Sequence, residues 1–384
     1  MKVLYFAHCS NLYGANKSLL ELILNLKKRY GIKPIVITPN YGELNKRLEE
    51  LGIEQYVYRY YWWMDFKSNN IVKRFIKRIR NGIYNRMALI KIKIKFKNQE
   101  ITIVHSNSST IDIGAKLSKM LKVKHVWHVR EFGEEDYNLI YFKGIKNSCK
   151  YIYRNTDAVI FISKALQDKY QKYFISNDKL KLIYNGISKD DYYINICDKD
   201  FESEFKVVFA GLISKEKNQF ELLRALDILV NIKNIKDIKV VFLGNGDKNY
   251  ISEMKKFIWE KGIEDNVQFE GKVDNIKKYI KECEVGVISS YNEAFGRVTI
   301  EYMLGGLAVI ASNTGANKEI ITDKVNGLIY SIGNINDLAH KIELLYKDRE
   351  MLKKLSYSGQ QQALNNFISD INCENIFNCY ESLI

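Results

Sequence analysis

The densest run of chemistry-bearing residues is Ser290-Tyr291-Asn292-Glu293-Ala294-Phe295-Gly296-Arg297-Val298-Thr299-Ile300-Glu301. An apolar run at 284–289 (EVGVIS) precedes it, and helical sequence follows. Gly296 at the helix start lets backbone N–H groups approach a ligand, and a helix N-terminus favours an anion such as phosphate. Glu293 stands in the loop, where a carboxylate suits sugar hydroxyls. Glu301 stands eight residues on, inside the helix, where it suits a ribose. The plainer alternative is a capping glutamate and a helix-surface glutamate.

Positioning these residues takes strands and helices in alternation. Short β-branched runs at 3–8, 34–39, 101–106, 125–129, 158–163 and 181–186 are separated by amphipathic stretches. Apolar strands of this kind predict a parallel sheet covered on both faces, wound by right-handed crossovers into a doubly wound domain. At 188–204 the period is lost among Asp, Lys, Tyr and Ser, which reads as a linker. The alternation restarts at 206–211, 239–244, 267–271, 284–289, 308–312 and 327–330, and the last 50 residues have helical character. The expected fold is α/β: two doubly wound Rossmann-like domains, 1–187 and 205–366, facing across a cleft. The terminal helix, 367–384, is expected to pack back on the first domain.

Further motifs surround the Glu293 loop. Upstream stand Gly211-Leu212-Ile213-Ser214-Lys215-Glu216-Lys217-Asn218, Leu243-Gly244-Asn245-Gly246 and Val267-Gln268-Phe269-Glu270-Gly271. Downstream stand Gly305-Gly306-Leu307-Ala308-Val309-Ile310-Ala311-Ser312, Thr314-Gly315 and Asn326-Gly327. This ordered series resembles the nucleotide-sugar-binding half of retaining glycosyltransferases of the GT-B type, in family 4 (group 1), over residues 206–330. Glu293 and Glu301 match the spacing of that family's E-x7-E pair.

The resemblance implies roles. Glu293 would hold the donor sugar's hydroxyls, and Glu301 the ribose. Ala294, Phe295, Gly296 and Arg297 would line the sugar and diphosphate, with Gly211, Gly244 and Asn245 in the neighbouring turns. Lys217 would pair with the diphosphate, since a departing nucleoside diphosphate develops charge that a cation can stabilise. The alternative for Lys217 is one more solvated lysine. Leu212 stands where the family often has Arg, Ala308 where it has Pro, and Tyr302 where it has Ala.

The first half matches more loosely. Leu12-Tyr13-Gly14-Ala15-Asn16-Lys17 resembles the family's G-G-A-E-R loop, so Gly14 is assigned to the donor or the acceptor and Asn16 to the acceptor side. Trp127-His128-Val129-Arg130-Glu131 ends a strand where the family commonly has a donor-facing His. His128 is therefore the catalytic candidate with Glu293 and Lys217, against a core histidine as alternative. Arg130 and Glu131 are candidates for acceptor contact. His105 is read as structural.

Composition bounds the function. A chain of 384 residues with 46% hydrophobic residues builds real cores, which excludes disorder for the chain as a whole. No apolar stretch reaches the ~18 residues of a membrane span. The opening MKVLYFAHCSNLYG reads as a strand and not as a signal peptide. Six scattered Cys without a CxxC pair disfavour a zinc site or a disulfide framework and fit a reducing cytosol. Asp198-Lys199-Asp200 has the form of a metal-binding DxD but lies in irregular polar sequence, so no metal is expected.

The net charge of +14 is uneven. Residues 1–187 carry 34 Lys+Arg and 15 Asp+Glu, whereas 188–384 carry 25 and 30. Between Asp65 and Glu100 lie 11 Lys or Arg and no acid, including Lys73, Arg74, Lys77 and Arg78. Val72, Phe75, Ile76, Ile79, Ile83, Met87, Ile90 and Ile94 recur through this stretch at helical spacing, after an aromatic run containing Trp62 and Trp63. A basic amphipathic helix beside aromatics suits an anionic bilayer. The alternatives are a stripe packed on the protein's own sheet, and nucleic acid, for which no recognition module is visible.

Together these readings predict a metal-independent, retaining hexosyltransferase without a cofactor, peripheral on the cytoplasmic face of the cell membrane. It would move a sugar from a nucleoside-diphosphate sugar to a lipid-linked or surface-glycan acceptor. The alternatives are a nucleotide-sugar 2-epimerase of the same architecture, or a non-catalytic membrane- or nucleic-acid-binding relative.

Overall fold

The apolar runs form parallel strands because both faces of each strand are covered. Val3, Leu4, Tyr5 and Phe6 of the first strand are all fully buried. The structure, a computed structural model, describes every residue except Asp200, Glu202, Ser203 and Asp274. It contains two units: Met1–Gly186 with Ser369–Ile384, and Ile187–Ile368.

The strands of the first unit are β1 (Lys2–Phe6), β2 (Lys33–Thr38), β3 (Glu54–Val57), β4 (Met64–Phe66), β5 (Ile103–Ser106), β6 (Lys124–Val129), β7 (Leu139–Tyr141), β8 (Ala158–Phe161) and β9 (Leu180–Leu182). Seven form a parallel sheet in the order β3-β2-β1-β5-β6-β8-β9, and β4 pairs with β7 in a small antiparallel ribbon. The second unit has β10 (Lys206–Ala210), β11 (Lys239–Leu243), β12 (Val267–Gly271), β13 (Val285–Ile288), β14 (Ala308–Ser312) and β15 (Leu328–Tyr330). Its sheet, also parallel, runs β12-β11-β10-β13-β14-β15. Both are doubly wound Rossmann-like sheets. The strand order reverses between β1 and β5, and between β10 and β13. Ligands of such sheets bind beyond the carboxyl ends of the strands at those points.

Residues 188–204 do not form a free linker, so the expected boundary at 205 moves to 187. Tyr192, Ile194, Lys199 and Phe201 are buried in the second unit. Gln360 donates its amide to Ile194 O (2.7 Å), and Lys199 donates its ammonium to Ile280 O (2.8 Å) and Cys283 O (2.6 Å). The central lysine of Asp198-Lys199-Asp200 is thus a buried anchor for the end of the helix Ile276–Glu282, while Asp200 lies outside the described residues. The polar composition that suggested a linker conceals one buried charge with two carbonyl partners.

The closing helix, Ser369–Glu381, lies within the first unit. Phe377 stacks on Tyr30 with ring centres 3.8 Å apart, and Cys373, Ile376 and Tyr380 join the core with Leu19, Ile23 and Val36. Gly186 allows the crossing: a Cβ there would lie 2.4 Å from Ser369 Cα.

Tyr302, on the helix Arg297–Leu304, is fully buried and accepts a hydrogen bond from Ala210 N. Its ring lies on Gly286 of β13, where a Cβ would sit 2.2 Å from Tyr302 Cδ2. The strand glycine makes the room that this large side chain needs. Gly286→Ala should therefore lower stability by about 1–3 kcal/mol, the usual cost of overpacking. In a Tyr302→Ala background the same change should cost nearly nothing. Urea midpoints of the four proteins measure this coupling.

Candidate active site

In the second unit, the loops after β10, β11 and β12 are joined backbone to backbone. Gly211 N donates to Leu243 O (2.9 Å), Ile213 N to Asn245 O (3.0 Å), and Gly244 N to Gly271 O (2.7 Å). Gly244 has a φ of 134°, and a Cβ on it would lie 2.0 Å from Gly211 O. Asn245 turns its side-chain oxygen to Lys272 N (3.1 Å). Of the expected donor-binding residues, Gly244 and Asn245 therefore hold loops together.

These contacts set the loop that carries Lys217. Ser289, at the end of β13, donates its hydroxyl to Lys217 O (3.0 Å) and Asn218 O (2.8 Å). Buried Gln219 donates to Leu212 O (3.0 Å), while the Leu212 side chain is exposed. On the facing loop, Ala316 N donates to Glu293 O (2.8 Å), and a Cβ on Gly315 would lie 2.2 Å from that same oxygen. With both backbones pinned, Lys217 Nζ meets Glu293 Oε2 at 2.8 Å. The pair is partly exposed, 35% and 17%, so each member can exchange its partner for a ligand.

Gly296 caps the helix Arg297–Leu304 in the left-handed region, φ 87°. The first N–H groups of a helix have no intrahelical acceptor, so this end presents donors beside Glu293. Ala294 is half-buried, and Phe295 is buried with its ring 6.1 Å from Phe367. Arg297 Nη2 lies 3.6 Å from Glu301 Oε1, both largely buried. The structure thus brings Lys217, Glu293, Gly296, Arg297 and Glu301 to one edge of one sheet.

In the first unit, the helix Gly14–Tyr30 follows β1. A Cβ on Gly14 would meet nothing within 4 Å, so packing does not require this glycine. Asn16 is fully buried and donates to Cys9 O (2.9 Å) and Asn11 O (2.8 Å); its Oδ1 has no partner among the described residues. It pins the loop from inside and does not project from it.

Arg130 and Glu131 are also buried, which corrects their reading as acceptor contacts. Arg130 donates to Asn107 Oδ1 (2.7 Å), Asn185 Oδ1 (2.5 Å) and His128 Nδ1 (3.2 Å). Glu131 accepts from Ser108 Oγ (3.0 Å) and Ser109 N (2.5 Å). Burial pushes its carboxyl up to about 7, and that of Asp136 up to about 6. His128 is fully buried at the end of β6, and its Nε2 has no partner among the described residues. Sequence reasoning missed Asn107 and Tyr380, which no local motif marks.

The basic helix, Ile71–Phe96, does not pack its apolar stripe on the protein's own sheet. The apolar stripe legible in the sequence faces outward: Val72, Phe75, Ile76, Ile79, Ile83, Met87, Ile90 and Ile94 are each 49–67% exposed. The buried face is Asn81, Asn85, Ala88, Leu89, Ile92 and Phe96. Asn85 bonds both ways with the Tyr61 backbone (2.7 and 2.8 Å), and Asn81 donates to Trp62 O (2.9 Å). Two of the four expected membrane cations are engaged: Lys77 with buried Asp65, and Arg74 with Lys67 O and Asn69 O. Lys73 and Arg78 are exposed. The two tryptophans are tied inward, which corrects their reading as membrane anchors. Trp62 donates to His8 O (2.8 Å), and Trp63 to Ser109 O (2.7 Å). A cavity of about 660 Å³ lies between the ends of β1 and β2 and this helix, with His8, Asn40, Arg59, Trp62, Lys77 and Asn81 on its walls.

Comparison with known proteins places the chain. Residues 13–191 match the model of Glycosyltransferase Family 4, and residues 198–362 match that of Glycosyl transferases group 1. The chain is a family 4, group 1 glycosyltransferase. An uncharacterised glycosyltransferase of Methanocaldococcus jannaschii is 27% identical over 85% of this chain and 88% of its own length. The N-acetylgalactosamine-N,N'-diacetylbacillosaminyl-diphospho-undecaprenol 4-alpha-N-acetylgalactosaminyltransferase of Campylobacter jejuni is 28% identical over 55% of this chain and 57% of its own length. The crystal structure of Anabaena HepE in complex with UDP superposes with a TM-score of 0.84, at 21% identity over 100% of both chains. The glycosyltransferase therefore has the GT-B fold, and its Lys217–Glu293 loop lies within the group 1 match.

Of the four histidines of the first unit, His105, His125 and His128 are buried and His8 is half-buried, and all four are held neutral. Burial lowers His8 to about 4 and His125 to about 3, and holds His105 and His128 well below 6.5. Stability from such groups is present above their unfolded value of about 6.5 and is lost as pH falls toward the folded values. Glu131 and Asp136 act oppositely: their contribution is full below their unfolded values and lost as pH rises through about 7 and about 6. Between pH 6.5 and 5 the histidines outnumber the acids, so the first unit of this glycosyltransferase should weaken on acidification, by at most roughly 3 kcal/mol per pH unit. Tryptophan fluorescence during urea unfolding measures it, since Trp62, Trp63 and Trp127 lie in this unit. His125→Asn should flatten the slope.

Proposed function

We propose that this glycosyltransferase transfers a sugar, with retention and without a metal, from a nucleoside-diphosphate sugar to a lipid-linked glycan on the cytoplasmic face of a membrane. The observation that carries the chemical part is the Lys217–Glu293 contact of 2.8 Å beside the Gly296 helix start. Paired in this way, each side chain neutralises the other. With donor bound, Lys217 turns to the diphosphate and Glu293 to the sugar hydroxyls. The C1–O bond to phosphate breaks as the acceptor oxygen attacks the same face. The acceptor's proton passes to the departing phosphate oxygen. Lys217, Arg297 and the helix N–H groups stabilise the charge that develops there. Arg297 then serves as the second cation that Leu212 does not supply. Glu301 binds the ribose. The UDP and UDP-glucose held by HepE support a uridine nucleotide as donor.

The exposed stripe of the basic helix supports the membrane. Eight large apolar side chains in water make a patch of the kind that marks an interaction surface. The basic residues around it, Lys73 and Arg78 among them, select an anionic bilayer over a neutral one. The Campylobacter relative, named for an acceptor linked to diphospho-undecaprenol, supports a lipid-linked glycan. The apolar-walled cavity beside the helix is where we place that acceptor.

A thermal-shift series with UDP, GDP and ADP should select UDP, with a stabilisation of about 2.7 kcal/mol at a hundredfold excess over Kd. Lys217→Ala should lower turnover by about 10²-fold, the scale of losing one stabiliser of developing charge. Glu293→Gln should retain UDP binding and lose transfer, and activity should persist in EDTA. Full turnover in either variant would refute the assignment. Donor consumed without any acceptor would indicate the epimerase instead.

In vesicle sedimentation the protein should bind anionic and not neutral lipid. Ile79→Ser with Ile83→Ser should weaken the salt-resistant part, and Lys73→Glu with Arg78→Glu the salt-sensitive part, at about 1 kcal/mol per charge. Equal binding to neutral vesicles, or none to either, would refute the membrane role.

A further inference from the structure

Two arginines share one aromatic ring at the rim of the cavity in the first unit. Arg59 Cζ lies 5.4 Å from the centre of the Tyr61 ring and 4.9 Å from that of Tyr84, and Arg80 Cζ lies 5.2 Å from the Tyr61 ring. Arg59 Nε also donates to the Tyr61 hydroxyl (2.5 Å). Arg80 donates from Nε and Nη2 to Asn81 Oδ1 (3.3 and 3.1 Å), and Asn81 is itself tied to Trp62 O (2.9 Å). A guanidinium carries five N–H donors, so both side chains are ordered with donors to spare. The Nη groups of Arg59 have no acceptor among the described residues.

Neither charge is neutralised by the protein. Among the described residues neither arginine forms an ion pair, and the sequence holds no acid between Asp65 and Glu100. Buried Asp65 is taken by Lys77. Two like charges drawn to one ring repel each other, and only solvent and salt screen them. An anion seated between them removes that cost and takes the remaining donors. Phosphate oxygens suit the fork of an arginine.

The surroundings indicate what carries the phosphate. On the helix Ile71–Phe96, Arg80 stands four residues after Ile76 and three before Ile83, so both are its neighbours on the helix surface. Both belong to the exposed apolar stripe. On the other side, Arg59 and Tyr61 are walls of the cavity of about 660 Å³, which extends to His8 and Asn40 beyond the carboxyl ends of β1 and β2. Aliphatic side chains, paired guanidiniums and a cavity walled by aromatic and polar groups thus follow one another. A lipid-linked glycan has the same order: hydrocarbon, diphosphate, sugars. A phospholipid matches the first two zones and leaves the cavity without an occupant.

We propose that Arg59 and Arg80, gathered on Tyr61, form a binding site for the diphosphate of a lipid-diphosphate-linked glycan, with its hydrocarbon along the stripe and its first sugars in the cavity. The identity of this ligand as the acceptor rests on the proposed function; the anion site rests on the arginines alone.

Sedimentation of the full chain with three kinds of vesicle tests this without any assay of transfer. The vesicles are neutral phosphatidylcholine, the same lipid with a polyprenyl diphosphate, and the same lipid with phosphatidylglycerol matched in charge. The wild type should bind the diphosphate vesicles about tenfold more tightly than the charge-matched ones, the scale of a hydrogen bond to a charged group. Arg59→Lys with Arg80→Lys keeps the charge and loses the fork, so it should abolish that preference and leave binding to phosphatidylglycerol unchanged. Lys73→Gln with Arg78→Gln removes two charges from the same helix and should weaken binding to both charged vesicles alike, with the preference intact. Equal wild-type binding to the two charged vesicles overturns the proposal and leaves both arginines as general contacts of an anionic bilayer. A preference that survives in the double lysine variant overturns it too. In transfer assays the double lysine variant should raise KM for a diphosphate-linked acceptor by about tenfold at unchanged kcat, and leave KM for the same glycan without diphosphate where it is. The expected vesicle preference without transfer to such an acceptor would uphold the site and reject the proposed function alone.

Discussion

Parallel strand pairing is the constraint on which the rest of this protein depends. When every strand of a sheet runs the same way, each connection returns over a face and all carboxyl ends gather at one edge. Where the strand order reverses, successive connections leave to opposite faces and open a gap at that edge. In the first unit the reversal lies between β1 and β5, and the residues beyond it are Gly14, Asn16, Asn107 and, one strand over, His128. In the second unit it lies between β10 and β13, and the loops beyond it carry Lys217 and Glu293. Chemistry appears where the topology leaves room for it.

Within that edge, glycine positions set distances that side chains alone could not. Gly244 and Gly315 let backbones touch, so the loops that hold Lys217 and Glu293 are fixed by main-chain hydrogen bonds. The ion pair itself is partly exposed, and such pairs contribute little to stability, typically 0–1 kcal/mol. Its placement serves ligand exchange. The buried polar groups of the first unit differ. Arg130 and the residues it bonds are sealed from water, where each lost partner is costly, so their geometry is rigid.

The basic helix shows the same economy inverted. Its inward face carries two asparagines whose amides satisfy the backbone of 61–62, and its outward face carries the large aliphatic side chains. A helix that only had to pack on its own sheet would place these the other way round. Lys77 and Arg74 anchor the helix to the segment 65–69, leaving Lys73 and Arg78 in solvent beside the apolar stripe.

Local pattern determined much by itself. The alternation of apolar runs with amphipathic stretches was enough for two parallel α/β halves, and the order of glycine and glutamate motifs was enough for the family and for the loop bearing Glu293. These are short-range signals: strand period, helix start and turn chemistry are written within a dozen residues. The edge strand β3, half-exposed and mixed in composition, left no such signal. Four features needed the folded chain. The polar segment 188–204 proved to belong to the second unit because Lys199 finds carbonyls more than 80 residues away. The apolar stripe of 72–94 could be read as a stripe, but periodicity does not say which face a helix buries. Trp62 and Trp63 turn inward because acceptors at His8 and Ser109 are brought to them. His105 lies 2.6 Å from the Tyr380 hydroxyl, 275 positions further along the chain. Tertiary structure decided these because a buried donor must find an acceptor, and folding chooses that acceptor by proximity in space, which sequence distance does not encode.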